Sequence, residues 1–596
     1  MELIYSMWRK PLKCEPPTFE NTVDTEVVRP ICTISSSNII AFSSPTELSD
    51  VDGNTWGGHV YVCDLDTPWN SHKVTSTADP VSALEWDNEG NQLFIATTTG
   101  DVSVFGQNEY LLNDWICLFS ASFPGEQILK GIFIHNGRRI IAVDKKPDAL
   151  ISEKYQTVRG TAAQTGFNAS WTGSVLVVTA SGLVAAVCPP TEGTQALTTS
   201  EALRATRLRV TAASTAYRSG TGAVGGGTGG ILVAAVCDEG GKGKGCIRAA
   251  LVRGLRASPP ALSLRHLPAL RLPRHAPVAI SWCLREDADS LAVGGGTLSL
   301  WQLTERAFPV HKLLAKTSPT ADCFNTLAWQ QTGAWPIEDC EQSVRVATSR
   351  LPITPPHILL ATPRALHLLT RDNAHYVCSR PLLGGAQAAV GAASPPKKSK
   401  YGGAPAGSSC AILSCVDVST LGGVAVCVDS HSQIHVFKIW QPQPNDHASS
   451  LTVQHMCNLL EYSLVTGVDC LDLLITMKPN LLEMLYERFT ETYQRQPQTF
   501  QQYFYYNWIK IRLALCSMGG MASSGAGLGA VLGAGAAWAS SLAALRPEER
   551  AEPALLALVE ELDQDKTILA LESKPESCGT CRRCRRCAAC CSGRWT

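Results

Sequence analysis

The residues of this chain that are best suited to chemistry are six cysteines in the run CGTCRRCRRCAACC. Four of them follow one another at CxxC steps: Cys578, Cys581, Cys584 and Cys587. Two thiolates separated by two residues can bind one metal ion, and four complete a tetrahedral Zn²⁺ site. Zinc sites usually separate their two CxxC pairs by about a dozen residues or more, so an unstructured tail is the alternative. The spacing that runs from Cys581 to Cys591 also fits an iron–sulfur cluster, although Ser592 stands where proline is expected.

A second chemical feature is a short lysine cluster in the run SPPKKSKYGG, which contains Lys397, Lys398 and Lys400. Lysines grouped on an extended segment rich in proline and glycine are typical of signals that a nuclear import receptor recognises. A solvated surface loop has the same composition. The residues alone leave both interpretations open.

Motifs for catalysis are not found in this sequence. Gly220, Gly222 and Gly225 satisfy GxGxxG, but the apolar strand ILVAAV follows the glycines, where a dinucleotide site needs a helix. The sequence has no GxxxxGK[ST], HExxH or GxSxG, and its histidines are scattered singly. We therefore assign no catalytic residue and no cofactor-binding residue, and we expect a protein that is not an enzyme.

The composition indicates where such a chain works. It has 596 residues and a net charge of −1, so it lacks the basic field that draws proteins to nucleic acid or to anionic membranes. Its 23 cysteines show no disulfide framework outside the terminal cluster, which favours free thiols in a reducing compartment. The uncharged run at 518–545 is built from Gly, Ala and Ser, so a low-complexity linker is favoured over a membrane span. We expect a soluble intracellular protein without membrane or sequence-specific DNA binding.

The elements that would position these residues begin with a long series of short strands. Residues 81–105 read VSALEWDNEGNQLFIATTTGDVSVF, which is strand, turn, strand, tight turn and strand. Weaker copies follow at irregular spacing, among them residues 131–144 and 171–187. About seven or eight such units, each with Gly- or Asp-rich turns, are typical of a closed ring of sheets. The fold predicted for residues 1–440 is an all-β WD40-type β-propeller of seven or eight blades.

A different periodicity follows a linker at 441–450. Leu481, Leu482, Leu485 and Phe489 share one helical face, and Phe500, Phe504, Trp508, Ile511 and Leu515 form a second apolar stripe. Such stripes are usually core. The prediction is an α-helical domain at 451–518, a Gly/Ala-rich linker at 519–553, a short helix at 554–574 and a Cys/Arg-rich tail at 575–596.

These residues resemble a known family. Residues 459–496, LLEYSLVTGVDCLDLLITMKPNLLEMLYERFTETYQRQ, are similar to the start of the helical domain in subunit 16 of the Mediator complex. The phrases HVYVCDLDTPWN, ALEWDNEGNQL, VTASGLVAAV and VDSHSQIHVFKI resemble blades of that subunit in the same order. The resemblance covers about residues 1–515. After that point, the extended helical region of the family is replaced by the Gly/Ala run and the short remnant LDQDKTILALESK.

The resemblance implies a scaffold in the Mediator tail module, which links DNA-bound activators to RNA polymerase II transcription. Its implied partners are other tail subunits and activators, and its implied location is the nucleus. Because that subunit carries a basic cluster between its last blades and a C-terminal cysteine cluster, the resemblance favours the nuclear signal and a metal at the cysteines. A scaffold of a coat or trafficking complex, in which a propeller also precedes helices, is the alternative.

Overall fold

The computed structural model describes two compact units. One contains Met1–Gly137 and Gly160–Ile439, and the other contains Arg138–Arg159 and Trp440–Thr596. Within them, the described residues are 1–7, 19–21, 24–26, 29–50, 53–108, 111–135, 139–142, 149–158, 166–167, 169–190, 196–204, 208–218, 229–238, 245–255, 260–272, 277–283, 289–309, 323–337, 345–349, 357–381, 411–439, 446–477 and 479–523.

The first unit begins with an edge strand and two complete blades. Strand β1 (Glu2–Ser6) is followed by a small hairpin of β2 (Phe19–Asn21) and β3 (Asp24–Glu26). The first blade consists of β4 (Cys32–Ile34), β5 (Ile39–Asp50), β6 (Gly53–Asp64) and β7 (Ser71–Thr77). The second consists of β8 (Val81–Trp86), β9 (Gln92–Thr97), β10 (Asp101–Gln107) and β11 (Trp115–Ser122).

The third blade is interrupted in sequence by elements of the second unit. Its strands are β12 (Ile128–Phe133), β15 (Val175–Thr179), β16 (Leu183–Cys188) and β17 (Leu197–Ala202). Between β12 and β15 come β13 (Arg139–Ala142), helix α1 (Ile151–Lys154), β14 (Tyr155–Val158) and a 3₁₀ turn at Ala169–Trp171. Strand β13 pairs with β14 and not with the blade.

Four more sheets follow. The fourth blade has β18 (Arg209–Arg218), β19 (Gly230–Asp238), β20 (Gly245–Leu255), β21 (Ala261–His266) and β22 (Leu270–Leu272). The fifth has β23 (Ala279–Trp282), β24 (Asp289–Gly294), β25 (Thr297–Pro309) and β26 (Cys323–Pro336). The sixth has β27 (Arg345–Thr348), β28 (His357–Ala361), β29 (Ala365–Thr370) and β30 (Tyr376–Pro381). The seventh has β31 (Leu413–Val418), β32 (Val424–Asp429), β33 (Ile434–Lys438) and β1.

The seven sheets close into a ring. Each innermost strand lies beside the innermost strand of the next blade, in the order β4, β8, β12, β18, β23, β27 and β31, and β31 lies beside β4. Strand β1 pairs antiparallel with β33, from Glu2 opposite Lys438 to Ser6 opposite His435, so the last blade combines the two ends of the propeller sequence. The predicted WD40-type propeller is confirmed, with seven blades.

The predicted number of blades, seven or eight, reflects turns that were placed correctly and one hairpin that was wrongly counted as a blade. In the second blade, Gly90 and Gly100 have positive φ values of 74° and 100°, as tight turns between strands require. A Cβ atom at Gly100 would lie 2.0 Å from the carbonyl oxygen of Phe123, so only glycine fits there. The prediction that residues 131–144 form a propeller unit of their own was wrong, because they divide between β12 and the β13–β14 hairpin.

The core of the propeller lies between neighbouring blades. Leu176 and Val178 of the third blade, for example, belong to the same buried cluster as Val233 and Ala235 of the fourth. All six residues of β32 are buried. Because the middle strands are covered on both faces, they are rich in Val and Ala and do not alternate with polar residues.

The second unit contains the remaining helices: α2 (Asp446–Thr466), α3 (Leu471–Thr476), α4 (Pro479–Gln494), α5 (Gln498–Tyr503) and α6 (Tyr505–Ser523). Helix α2 begins inside the linker predicted at 441–450, and α6 ends five residues after the predicted end of the domain at 518. Helix α4 packs between α2 and α6.

Both predicted helical stripes contribute to the core. Leu482, Leu485 and Phe489 of the first are buried, as are Trp508, Ile511 and Leu515 of the second. Phe500 and Phe504 are half-buried, because the chain leaves helical geometry at Phe504 between α5 and α6, where the prediction had one continuous stripe.

Candidate functional site

The centre of the propeller is held by hydrogen bonds that join each blade to the next. The carboxylate of Asp417 in β31 accepts hydrogen bonds from the Thr33 hydroxyl (2.9 Å) and the Ile34 N–H (3.0 Å) of β4. The Lys130 ammonium of β12 donates to the Glu85 carboxylate of β8 at 2.6 Å. These polar side chains on the innermost strands are therefore occupied in closing the ring.

The other junctions are closed in the same way. Their hydrogen bonds run from the Ser36 hydroxyl to the Asn88 carbonyl (2.7 Å), from the Tyr217 hydroxyl to the Phe133 carbonyl, from the Trp282 N–H to the Ser214 hydroxyl (3.1 Å), from the Thr348 hydroxyl to the Trp282 carbonyl (2.7 Å) and from the Leu413 N–H to the Pro363 carbonyl (3.0 Å). Within the described part of the chain, no group of three or more His, Cys, Asp and Glu residues is arranged to hold a metal ion.

One constellation in the closing blade has the composition of a hydrolase triad. The Ser6 hydroxyl lies 2.8 Å from Nδ1 of His435, and Nε2 of His435 lies 3.2 Å from Oδ2 of Asp429. The second carboxylate oxygen of Asp429 accepts the N–H groups of His431 and Gln433, both at 2.9 Å, and so fixes the β32–β33 turn. The same stretch of β1 is attached to β33 by the Met7 N–H, which donates to the Ile434 carbonyl at 2.8 Å. The triad residues therefore attach the edge strand, and sequence reasoning missed them because 429 positions separate Ser6 from His435.

A buried ion pair joins the fourth and fifth blades. Nε of Arg218 in β18 lies 2.9 Å from Oδ2 of Asp289 in β24, and both side chains are almost fully buried. Burial raises the pKa of the Asp289 carboxyl, and the charge of Arg218 opposes that rise.

The helical unit contains a second buried pair, between α1 and α2. Nζ of Lys154 lies 3.0 Å from one Glu461 carboxylate oxygen and 3.2 Å from the other, and the Glu461 side chain is 1% exposed. The Ile151 N–H donates to Oε1 of Gln496, in the turn between α4 and α5, at 3.0 Å, and the Tyr155 hydroxyl donates to the Asn458 carbonyl at 2.6 Å. The short segment around α1 is thus attached to α2 and to the turn after α4. We call Asn458, Glu461, Tyr462 and Gln496 the hairpin seat.

Burial dominates the electrostatics of the hairpin seat. It raises the pKa of the Glu461 carboxyl, and the Lys154 ammonium opposes that rise. It also raises the pKa of the Cys457 thiol to about 12 and raises the pKa of the Tyr155 hydroxyl. The Cys457 thiol and the Tyr155 hydroxyl therefore keep their protons at neutral pH, and the Glu461 carboxylate is engaged by Lys154, so these groups suit a structural contact better than acid–base catalysis.

Two exposed aromatic side chains of the helical unit, Tyr503 and Tyr506, lie close together in sequence. Tyr503 is 67% exposed and Tyr506 is 61% exposed, and Met484 of α4 is 47% exposed. Beneath this aromatic segment, Trp508 stacks on Tyr493 at 4.6 Å between ring centroids, and the Arg512 guanidinium lies 4.4 Å from the centre of the Trp508 ring. Exposed tyrosines on a rigid aromatic base are typical of protein interfaces.

The site residues predicted from the sequence lie outside the described residues. This applies to Lys397, Lys398 and Lys400, to Cys578, Cys581, Cys584 and Cys587, and to the three glycines of the GxGxxG match. The element described after those glycines is strand β19, which pairs antiparallel with β18, whereas a dinucleotide site places a helix there. The nuclear signal and the metal site stay predictions.

Thirteen cysteines of the described ranges are free thiols, and nine of these thirteen are buried. None of the helices in those ranges combines the length and the hydropathy needed to cross a membrane.

Comparisons with known proteins identify the relatives of this chain. Residues 459–579 match the family model described as "Mediator complex subunit 16, central helical bridge". Mediator of RNA polymerase II transcription subunit 16 of Aedes aegypti is 31% identical over 555 residues, which cover 86% of this chain and 63% of that protein. The Homo sapiens protein of the same name is 25% identical over 533 residues, which cover 85% of this chain and 59% of that protein.

The predicted resemblance is therefore confirmed, and the family model continues beyond residue 515, where the predicted resemblance ended. The chain spans about three fifths of the length of these relatives.

Solved structures that match are distant in sequence. The β-propeller domain of Cps50 (Swd1) from Myceliophteria thermophila is 10% identical, with 70% of this chain and 97% of that chain covered and a TM-score of 0.39. Chaetomium thermophilum Sqt1, bound to the N-terminus of ribosomal protein L10, is 12% identical, with 69% and 97% covered and a TM-score of 0.37. The propeller fold of this chain is established by its own closed strand pairing.

Proposed function

The chain resembles Mediator subunit 16, and we propose from this resemblance that it is a non-enzymatic scaffold subunit of a Mediator complex in the nucleus. The observation that carries the proposal is the match to proteins of that name along 86% of the chain, across both the propeller and the helices. In this role it links DNA-bound activators to RNA polymerase II transcription from the tail module.

The mechanism is rigid presentation of binding surfaces. The ring is closed on itself by hydrogen bonds at its innermost strands, so its rim keeps a fixed shape. Catalysis needs polar groups that converge on an open cleft, whereas Asp417, Glu85 and Thr348 of the innermost strands bind the neighbouring blades. Lys397, Lys398 and Lys400 supply the import signal in this proposal.

The helical unit supplies the contact with neighbouring subunits. Tyr503 and Tyr506 present large apolar rings on rigid helices, which is the usual composition of an interface hot spot. Their partner in this proposal is another subunit of the tail module.

Affinity purification of the tagged full-length chain from nuclear extract, followed by mass spectrometry, tests the proposal. Other Mediator subunits are expected with the wild-type chain, and their recovery should fall about tenfold or more with the Tyr503→Ser/Tyr506→Ser double variant. Leu197→Ser, at a side chain that is 54% exposed on the propeller, is the matched control and should leave recovery unchanged. An intact wild-type chain that is excluded from the nucleus, or that recovers no Mediator subunit, would contradict the proposed function.

A further inference from the structure

We propose that helices α2–α6 do not fold on their own, and that residues 138–159, which lie between two strands of the third blade in sequence, complete the helical unit. The family model begins the helical bridge at residue 459, far from this segment in the chain. In the structure, Arg138–Arg159 belong to the same compact unit as the helices. The binding surface is the hairpin seat, and its partner is a short segment with the order Ile-x-x-Lys-Tyr.

Polar contacts are the first reason to expect that the segment and the helices fold together. The Glu461 carboxylate is buried in the last third of α2, and the Lys154 ammonium forms an ion pair with it. Gln496, in the turn between α4 and α5, is 4% exposed, and its Oε1 accepts the Ile151 N–H. Without the segment, a buried carboxylate of α2 and a buried amide oxygen after α4 would lose these partners. Buried polar groups without partners are strongly unfavourable, so the helices alone are incomplete.

Apolar contacts between the segment and the helices are the second reason. Ile151 is fully buried, which makes a side chain of the segment part of the core of the helical unit. The ring of Tyr155 packs edge-on against Tyr462, with 6.0 Å between the centroids, while its hydroxyl reaches the Asn458 carbonyl. A partner that offers an aliphatic side chain, an ammonium group and a tyrosine within five residues therefore matches the hairpin seat in shape and in charge.

The third reason is that the segment is a two-stranded hairpin. Strands β13 and β14 pair from Arg139 opposite Val158 to Ala142 opposite Tyr155, so the segment is a hairpin with its own hydrogen bonds. An isolated two-stranded hairpin is at best marginally stable in water. The hairpin alone lacks a surface to pack against, and the helices alone lack partners for Glu461 and Gln496. We therefore expect the two to fold together.

Hydrogen exchange on the full-length chain tests this inference. Replacing residues 138–159 by a Gly/Ser linker of equal length should raise the exchange rates of the α2 and α4 amides by about a hundredfold or more. Replacing residues 19–26, which include the β2–β3 hairpin, by a linker of equal length is the matched control and should leave those rates unchanged. The amides of β15 report whether the third blade has stayed folded.

A second variant keeps the backbone of the segment. If the linker variant also loses protection in β15, the double variant Ile151→Ser/Tyr155→Ser decides, because it alters only the side chains that enter the helical unit. Faster exchange in α2 and α4, with β15 unchanged, supports the proposal. Unchanged exchange in both helices overturns it, whatever the chain binds in nuclear extract, so its failure is distinct from failure of the proposed function.

Discussion

The propeller and the helical unit each contain a buried ion pair, but the two pairs join the chain over very different distances. Arg218 and Asp289 belong to neighbouring blades, so their separation is about one repeat of the ring. Lys154 and Glu461 are 307 positions apart and join a four-residue helix to a long one. Both pairs are shielded from water, so chain separation is the main difference between them.

The difference shows how each region is specified. In the ring, every blade buries its faces against the next, and one pattern of strands and turns repeats along the sequence. In the helical unit, the stripes of the helices specify which faces are buried, but nothing in them identifies the segment that reaches Glu461. We therefore expect damage to either pair to be confined to the unit that contains it.

The largest expected effect follows from Arg218→Met. Burial already raises the pKa of Asp289 from its ordinary value of 3.8, and removing Arg218 removes the charge that opposes this rise. The pKa of the buried carboxyl then rises further, and a buried acidic group is left without the cation that compensates its burial. We expect the propeller to lose about 3–4 kcal/mol of stability. Unfolding in denaturant, monitored by hydrogen exchange of the amides in the fourth and fifth blades, measures the loss of stability.

The control for this variant is the double replacement Arg218→Met/Asp289→Leu, which removes both charges and should recover most of the stability. The helices of the second unit should keep their exchange rates in both variants. If α2 loses as much protection as β19, the two units are energetically coupled and the comparison fails.

The same contrast explains what could be predicted from the sequence. Three of the four strands of the second blade were predicted within residues 81–105, because Gly90 and Gly100 mark its turns and apolar residues fill the strands between them. The fourth strand, β11, was not predicted. The hairpin after β12 was assigned to the propeller, since IIAV is as apolar as any blade strand. A strand pattern reports burial and does not name the partner strand.

The candidate site shows the same limit. Helical periodicity correctly placed Leu485 and Phe489 in the core, yet it offered no sign that Glu461 in α2 is buried, because an acidic residue in a helix is normally exposed. Its partner Lys154 is the last residue of the sequence ISEK, which carries no recognisable motif. Long-range ion pairs leave no local signal, so only coordinates or covariation could have revealed the hairpin seat.

A smaller and pH-dependent effect is expected from Lys154→Met. The ordinary pKa of Glu461 is 4.5, burial raises it, and loss of Lys154 raises it further. A carboxyl whose pKa is higher in the folded state binds its proton more tightly there, so the stability of the variant falls as the pH rises above 4.5. We expect the helical unit to lose up to about 3 kcal/mol at pH 7 and less than about 1 kcal/mol at pH 5.

Exchange rates in α2, compared between variant and wild type at the two pH values after correction for intrinsic exchange, measure this effect. Glu461→Gln in the Lys154→Met background removes the titrating group and should abolish the pH dependence of the difference. A loss that is equal at both pH values would mean that lost packing of the lysine stem, rather than the buried carboxylate, causes the destabilisation.

The smallest effect is expected from Lys130→Met, which removes an ion pair whose lysine is partly exposed. Nζ of Lys130 lies 2.6 Å from Glu85, which is shorter than either buried pair, and 33% of the lysine side chain but only 8% of the Glu85 side chain is exposed. Because water reaches the lysine and screens the pair, the propeller should lose about 1 kcal/mol, less than in the other two variants. Unfolding in denaturant with and without about 0.5 M salt measures this, and added salt should reduce the difference from wild type. A loss as large as that of Arg218→Met would show that position in the ring, and not burial, determines what an ion pair contributes.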